Sequence, residues 1–198
     1  MKNLLKFITF SILLVIFTGC NGQVKLTKSE IEREYFTQQN MWASKKSKYS
    51  TSQDKDALIS KYSVFSVNYL EDKFIPINTS VEIVKVEHNT IFFKLDNEIY
   101  AYIRTRQSRG QNLTKLFYRT FSTLGKDLSK YNKIAKKNIQ NAVLKQGMTK
   151  NEVILSRGYP PEYRTQSLEN STWYYWDKRK NKITLNFNEK KLISINKN

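Results

Sequence analysis

Cysteine and histidine each occur once in this chain of 198 residues, at Cys20 and His88. A lone cysteine excludes a disulfide bond within the chain. A lone histidine, beside Asn89 in a predicted hairpin turn, gives no basis for a Ser-His-Asp triad, and the sequence has no His, Cys or carboxylate cluster with the spacing of a zinc site. We therefore expect no catalytic residue, no metal and no cofactor, in a protein that is not an enzyme.

Long apolar runs are also scarce, and the main one covers residues 7–17. Two lysines precede it and Thr18-Gly19-Cys20 follows it, which is typical of a secretory signal, and the run is too short to span a bilayer. We predict a bacterial lipoprotein in which residues 1–19 are removed and several acyl chains, such as palmitate, anchor Cys20 to a membrane. The alternative is an ordinary signal peptide with a chance cysteine.

Asn21 follows the predicted lipidation site, where an aspartate would be the usual signal for retention in the inner membrane. We therefore expect a lipid anchor in the outer membrane, with the folded part facing the periplasm. The inner membrane and the cell surface stay open as alternatives.

Acidic residues are few: Asp and Glu total 17 against 34 Lys and Arg, a formal net charge of +17. Removal of the signal would take Lys2 and Lys6 with it and lower this charge to +15. Such a charge favours nucleic-acid binding inside a cell, but export argues against that partner. Two interpretations of the charge remain. The first is attraction to anionic lipid head groups or to lipopolysaccharide. The second is a compositional bias toward Lys and Asn, which the even spread of basic residues favours.

Residues 20–61 are polar and predict a tether with short helices. Thr27 and Glu30 have the spacing of a capping box and predict a helix to about Gln39. Residues 45–52 have the composition of a linker, and Ser52 can cap a short helix through Ile59.

From residue 62 to 106 the hydrophobic period changes to two. Four strands are predicted within residues 64–69, 81–86, 91–95 and 99–103, with tight turns at His88-Asn89 and Asp96-Asn97. Such short strands favour a small SH3-like antiparallel β-domain, with an incomplete sandwich as the alternative.

Residues 107–140 predict two linking helices. Leu113, Leu116, Phe117 and Phe121 have helical spacing and predict a helix over 112–122. A second helix is predicted from a cap at Asp127, with apolar residues on one side and lysines on the other, Lys133, Lys136 and Lys137.

Residues 141–198 predict a helix followed by an antiparallel sheet. Thr149 and Glu152 have the spacing of a capping box, and Gly158 can take the left-handed conformation after the helix. Three strands with period two are predicted within residues 172–176, 183–187 and 192–195. With the preceding β-domain, the chain is expected to be an α+β protein.

This last segment resembles the SmpA/OmlA (BamE-like) family, through Gly147-Met148-Thr149, Glu152-Val153, Gly158 with Pro160, and the aromatic and Phe187 strands. The longer run over 158–176 resembles a subgroup of bacterial lipoproteins that carry this domain behind a small β-domain. The resemblance implies a BamE-like helix and three-stranded sheet. It also implies contacts with partner subunits in outer-membrane protein assembly, and binding of anionic phospholipid.

Strand 172–176 supplies the candidate binding surface. Side chains alternate between the faces of a strand, so Tyr174 and Trp176 share one face, and a helix can cover only the other. Together with a basic turn they predict an amphipathic surface for a protein or membrane partner, made of Tyr174, Trp176, Lys178, Arg179 and Lys180. Burial of this face under the β-domain or the linking helices is an equal alternative.

Two functions therefore stay open. The first is a membrane-anchored cell-envelope lipoprotein that binds or scaffolds an envelope protein without catalysis, in the outer-membrane assembly role that the resemblance implies. The second is recognition of cell-wall peptide or glycan by an aromatic groove on the SH3-like domain, formed by Tyr69, Phe92 and Tyr100.

Overall fold

A computed structural model describes residues 31, 33–45, 58–108, 110–177 and 181–197. The described residues up to Ser122 form mainly strands, with one α-helix among them. The eight strands are β1 Glu34–Thr37, β2 Met41–Ser44, β3 Tyr62–Phe65, β4 Lys73–Ile75, β5 Ser80–Glu87, β6 Thr90–Leu95, β7 Glu98–Ile103 and β8 Phe121–Ser122. They form one sheet in the order β4-β2-β3-β7-β6-β5-β1-β8, which curls into a half-barrel.

The centre of this large sheet is the antiparallel meander β5-β6-β7. Its second turn, Asp96-Asn97, has φ of +50° and +61°, the left-handed pair that a two-residue type I′ hairpin needs. The β3–β7 pair is parallel, whereas the other pairs of the sheet are antiparallel. A parallel pair needs a crossover, which the chain between β3 and β7 provides through β4, β5 and β6.

Helix α1, Leu113–Thr120, packs against the main core cluster of the large sheet. The Asn112 side chain caps its first turn by accepting from the Lys115 N–H at 2.8 Å. Leu116 and Phe117 on its inner face are buried, and the Phe117 ring lies 5.5 Å from the ring of Tyr35 in β1. The predicted helix over 112–122 is therefore confirmed, except that its last two residues form β8.

The C-terminal part holds helices α2, Lys133–Gln140, and α3, Lys150–Arg157, and a second sheet. The three strands of that sheet are β9 Thr172–Trp176, β10 Lys182–Asn188 and β11 Lys191–Lys197, in the order β11-β10-β9. The predicted capping box is present: Thr149 Oγ1 accepts from the Glu152 N–H at 3.2 Å, and Glu152 accepts from the Thr149 N–H at 2.5 Å. Gly158 has a positive φ of +83° after the helix, although its ψ of 179° is extended and not left-handed helical as predicted.

Helix α3 is shared between the two sheets. Val153 belongs to the core under β9 and β10, whereas Leu155 packs with Ile139 of α2 and with Ile77, which follows β4. Buried asparagines fix this position. Asn40 Nδ2 donates to the Ser156 carbonyl at 3.0 Å, and Asn68 Nδ2 donates to the Arg157 carbonyl at 2.8 Å. Because carbonyls at a helix C-terminus lack partners within the helix, these amides satisfy groups that would otherwise be buried unpaired.

The predicted fold class is wrong. We expected an α+β chain with a small SH3-like domain before a BamE-like helix and sheet, but the described residues are dominated by an eight-stranded curled sheet and hold three helices of eight residues each. The main source of the error is the predicted tether, because β1 and β2 come from it. A helix to about Gln39 was expected where β1 pairs with β5 and β8. Pairing on both edges overrides the local helix signal.

Two smaller predictions are also corrected. Asp127 does not cap α2: its side chain accepts from the Ser129 N–H in a turn, and the Asn132 side chain caps the helix by accepting from the Ala135 N–H at 2.9 Å. The short helix predicted through Ile59 is absent at residues 58–59, where Ile59 makes a single bridge. The remaining residues of these tether predictions, 27–30, 32 and 46–57, lie outside the described part.

Candidate functional site

Strand β9 divides its aromatic side chains between two faces, as predicted. Trp173 and Tyr175 are 0% and 1% exposed in the core of the C-terminal sheet, where Trp173 packs against Phe187. On the other face Tyr174 is 40% exposed and Trp176 is half-buried. The described helices therefore leave Tyr174 exposed, whereas Trp176 on the same face is partly covered.

A pocket of about 210 Å³ opens on this outward face. The cross-strand partners of Tyr174 and Trp176 on β10 are Thr184 and Lys182, so four outward side chains meet at its floor. The Lys182 Nζ lies 5.8 Å from the centre of the Trp176 ring, within the range of a cation–π interaction. The pocket is lined by Arg164, Tyr174, Tyr175, Trp176, Lys182 and Thr184.

The segment between α3 and β9 closes one side of the pocket. Its turn is built on Pro161, whose carbonyl accepts from the N–H groups of Arg164 and Thr165 at 3.0 and 2.9 Å. Thr165 Oγ1 then accepts from the backbone N–H of Tyr174 at 3.0 Å, which covers the free edge of β9. Tyr163 is thereby placed beside the strand, where its hydroxyl accepts from Trp176 Nε1 at 2.7 Å.

The buried side chain of Arg157 also holds the end of strand β9. Its guanidinium is buried and donates to the carbonyls of Asn68 at 3.0 Å and Trp176 at 2.5 Å. It also lies 4.7 Å from the ring of Trp42 in β2. Burial lowers the pKa of Arg157 to about 10, with the nearby Tyr175 and Asp177 acting in the opposite direction. The guanidinium is therefore still charged at neutral pH, and it connects the large sheet with the end of β9.

The electrostatic character of the pocket is positive. Arg164 and Lys182 line it, and its lining includes no Asp or Glu. The ion pairs found among the described residues join Lys61 to Glu98, Lys85 to Glu87 and Arg119 to Glu162, so neither pocket cation belongs to one. An aromatic floor with two such cations can bind an anion that carries apolar surface.

The structure brings together only part of the predicted site. Tyr174 and Trp176 lie on one face, whereas Cys20, Lys178, Arg179 and Lys180 lie outside the described residues. The predicted site did not include Lys182 and Thr184, although their alternation with buried Ile183 and Leu185 indicates the outward face. It also missed Tyr163 and Arg164, and no local pattern could have placed that loop beside Trp176.

The alternative site on the large sheet does not form. Phe92 and Tyr100 are 1% and 0% exposed, so they cannot line an open groove with Tyr69. The two side chains belong to different core clusters of the sheet. The predicted SH3-like recognition groove is therefore wrong.

Within the residues that the structure describes, no group of three or more His, Cys, Asp or Glu side chains is arranged to hold a metal ion. Over the same residues, the helices are too short or too polar to cross a membrane. No protein-family model, no curated protein and no solved structure matches the chain.

Proposed function

We propose that this protein is a membrane-anchored lipoprotein of the cell envelope that works as a non-enzymatic binding module. Its binding surface is the outward face of the C-terminal sheet, with the pocket beside Trp176 at its centre. The partner is an envelope protein, and the anchor is the acylated Cys20.

The observation that carries the binding role is the fixed position of a half-buried tryptophan in an open pocket. Trp176 is held by Tyr163 through its indole N–H and by Arg157 through its carbonyl. Tryptophan, tyrosine and arginine are the residue types that dominate interface energetics, because they bury a large area and keep a polar group. A side chain that is ordered before binding also loses little conformational entropy when a partner arrives.

The location in the envelope rests on sequence. The residues Thr18-Gly19-Cys20 after an apolar run support lipid anchoring, and Asn21 supports the outer membrane, with the folded part facing the periplasm. The motif from Gly147 to Pro160 resembles the SmpA/OmlA family and supports outer-membrane protein assembly as the process.

Anionic lipid head groups are a second proposed partner. The outward face of α2 carries exposed Lys133, Lys136 and Lys137, and beside them Ile134 is 72% exposed. Each basic residue near an anionic membrane surface contributes about 1 kcal/mol of attraction. A lipid anchor at Cys20 would hold the protein near a bilayer, where several weak contacts can act together.

Site-specific photo-cross-linking in intact cells tests the binding surface. A photoreactive phenylalanine analogue at Tyr174 should give a discrete cross-linked product with an envelope protein, because this side chain lines the pocket and is 40% exposed. The same analogue at Tyr118, which is 61% exposed on α1, is the matched control and should give no such product.

The Trp176→Ala variant gives the decisive comparison in the same experiment. It should weaken cross-linking from position 174 while its far-ultraviolet circular dichroism stays that of the wild type. An unchanged product in a folded Trp176→Ala variant would place the functional surface elsewhere on the molecule.

A further inference from the structure

The walls of the pocket beside Trp176 define what it can bind. Tyr174 and Trp176 offer flat aromatic surface, Thr184 offers a hydroxyl, and Arg164 and Lys182 offer two positive charges. A ligand that matches all of these groups carries a negative charge next to an apolar body. A neutral apolar ligand would leave both cations without a counter-charge.

The acidic residues nearest in sequence act on other groups. The carboxylate of Asp177 interacts with Arg157 and raises its pKa against the effect of burial. Glu162 pairs with Arg119 of α1 at 3.9 Å. Within the described residues, Arg164 and Lys182 interact instead with the rings of Tyr163 and Trp176, at 5.5 and 5.8 Å. A ligand can therefore supply the negative charge that complements these two cations.

The size and shape of the pocket narrow the ligand further. Sites for whole small molecules usually enclose about 300–1,000 Å³, and this pocket encloses about 210 Å³. It therefore has room for one or two side chains of a larger partner. A flat bilayer surface does not enter a concave site, so an acidic peptide fits the geometry better than a membrane.

The pocket is also formed before a ligand arrives. Trp176 is held at its indole and at its carbonyl, and the loop that carries Arg164 is held by Thr165 on the Tyr174 N–H. The guanidinium of Arg164 can give a carboxylate two parallel hydrogen bonds, which are stronger than bonds between neutral groups. Affinity then depends on few newly ordered side chains.

We infer that this pocket binds an acidic side chain of the partner protein, Asp or Glu, with an aromatic or aliphatic residue beside it that packs on Trp176. This inference rests on the proposed function, since it names the chemistry of the partner at the same surface. The acidic group lies between Arg164 and Lys182, and the apolar neighbour covers the indole ring.

Titration of the purified full-length chain in detergent with capped synthetic peptides tests the inference. One peptide has the sequence Gly-Glu-Phe-Glu-Gly and its matched control has Gly-Gln-Phe-Gln-Gly, so that the two differ only in charge. Isothermal titration calorimetry should give at least about tenfold tighter binding for the acidic peptide, because one charge-assisted hydrogen bond exceeds the 1.4 kcal/mol that a factor of ten requires. Arg164→Gln and Lys182→Gln should each reduce this preference, whereas Lys126→Gln, an exposed lysine outside the pocket, should not.

Several results would overturn the inference. Equal binding of the two peptides, no binding of the acidic peptide, or an unchanged preference in both folded pocket variants would each do so. Binding of the protein and its variants to vesicles of phosphatidylglycerol and phosphatidylcholine is measured as a second experiment. If vesicle binding is lost in Arg164→Gln and Lys182→Gln but kept in Lys126→Gln, the ligand is a lipid head group. The cross-linking from Tyr174 tests the binding surface independently. A positive cross-linking result would therefore support the proposed function even if the peptide titration rejects an acidic ligand.

Discussion

Arg157 occupies a position where its hydrogen bonds and its charge act in opposite directions on stability. The two carbonyls that it bonds belong to Asn68 on one side and to Trp176 on the other. Its pKa of about 10 shows that the folded protein binds this proton less tightly than the unfolded chain does. The charge therefore lowers stability at every pH below about 10, and this cost is relieved only as the pH rises from about 10 toward 12.5.

Two substitutions of Arg157 separate these effects. Arg157→Lys should lower the free energy of unfolding by about 2–4 kcal/mol, because it keeps a buried charge and cannot reach both carbonyls. Arg157→Met should cost less, because it removes the charge at similar volume. Urea unfolding followed by tryptophan fluorescence at pH 7 measures both values. A larger loss in the methionine variant would show that the hydrogen bonds outweigh the cost of burying the charge.

Only some residues of the pocket could be predicted from the sequence. Alternation along β9 was enough to assign Tyr174 and Trp176 to one face and Trp173 and Tyr175 to the other, because the side-chain direction in a strand depends only on local backbone geometry. The position of Tyr163 beside Trp176 depends on a turn at Pro161 that joins segments 13 residues apart. Such a contact has no local period, so the sequence did not predict it.

At the scale of elements, α3 is set by signals at both of its ends. The Thr149 and Glu152 capping box starts it, and Gly158 ends it with a φ of +83°. A Cβ atom at position 158 would lie 2.4 Å from Asn68 Nδ2, a clash with the amide that holds the end of the helix.

Substitutions at these two ends should differ in size. Thr149→Ala should lower the free energy of unfolding by about 0.5–2 kcal/mol, as the loss of an N-cap does. Gly158→Ala should cost more, since it adds backbone strain to a clash in the buried junction. Gly125→Ala is the control, because its Cβ would meet its nearest atom at 3.4 Å with no strained φ. Thermal melting that ranks Gly158→Ala with Gly125→Ala would contradict the assigned role of Gly158.

Elements with strong local patterns were predicted, and those that depend on distant partners were not. Strands β5, β6 and β7 and the three strands of the C-terminal sheet lie where the period of two predicted them. In contrast, β1 pairs with residues 80–82, more than 40 positions along the chain. The four residues of β1 form a strand through pairing with β5 and β8. The prediction instead followed the local helix signal of the Thr27 and Glu30 capping box.

At the scale of the whole molecule, the charge and the folded architecture can be considered together. The chain carries a net charge of +17, yet the described lysines of α2 and the cations of the pocket lie on separate elements. Two basic surfaces could thus serve two partners, an anionic bilayer at α2 and an acidic segment at the pocket. The proposed lipid contact at α2 requires the protein to be held at a membrane, which makes the anchor the feature to test first.

We expect Cys20 to be the mature N-terminus and to be acylated. Residues 1–19 have the pattern of a signal that is cleaved before a lipidated cysteine. One acyl chain gives only marginal binding, at about 0.8 kcal/mol per buried methylene, whereas the several chains of a lipoprotein anchor it firmly. Full-length protein expressed in a bacterium that processes lipoproteins should therefore sediment with the membranes, and mass spectrometry should find a lipid-modified peptide that begins at Cys20. Cys20→Ser is the control and should abolish both the modification and the membrane association. A wild-type chain recovered unmodified in the soluble periplasmic fraction would exclude the anchor, and with it the membrane-bound form of the proposed function.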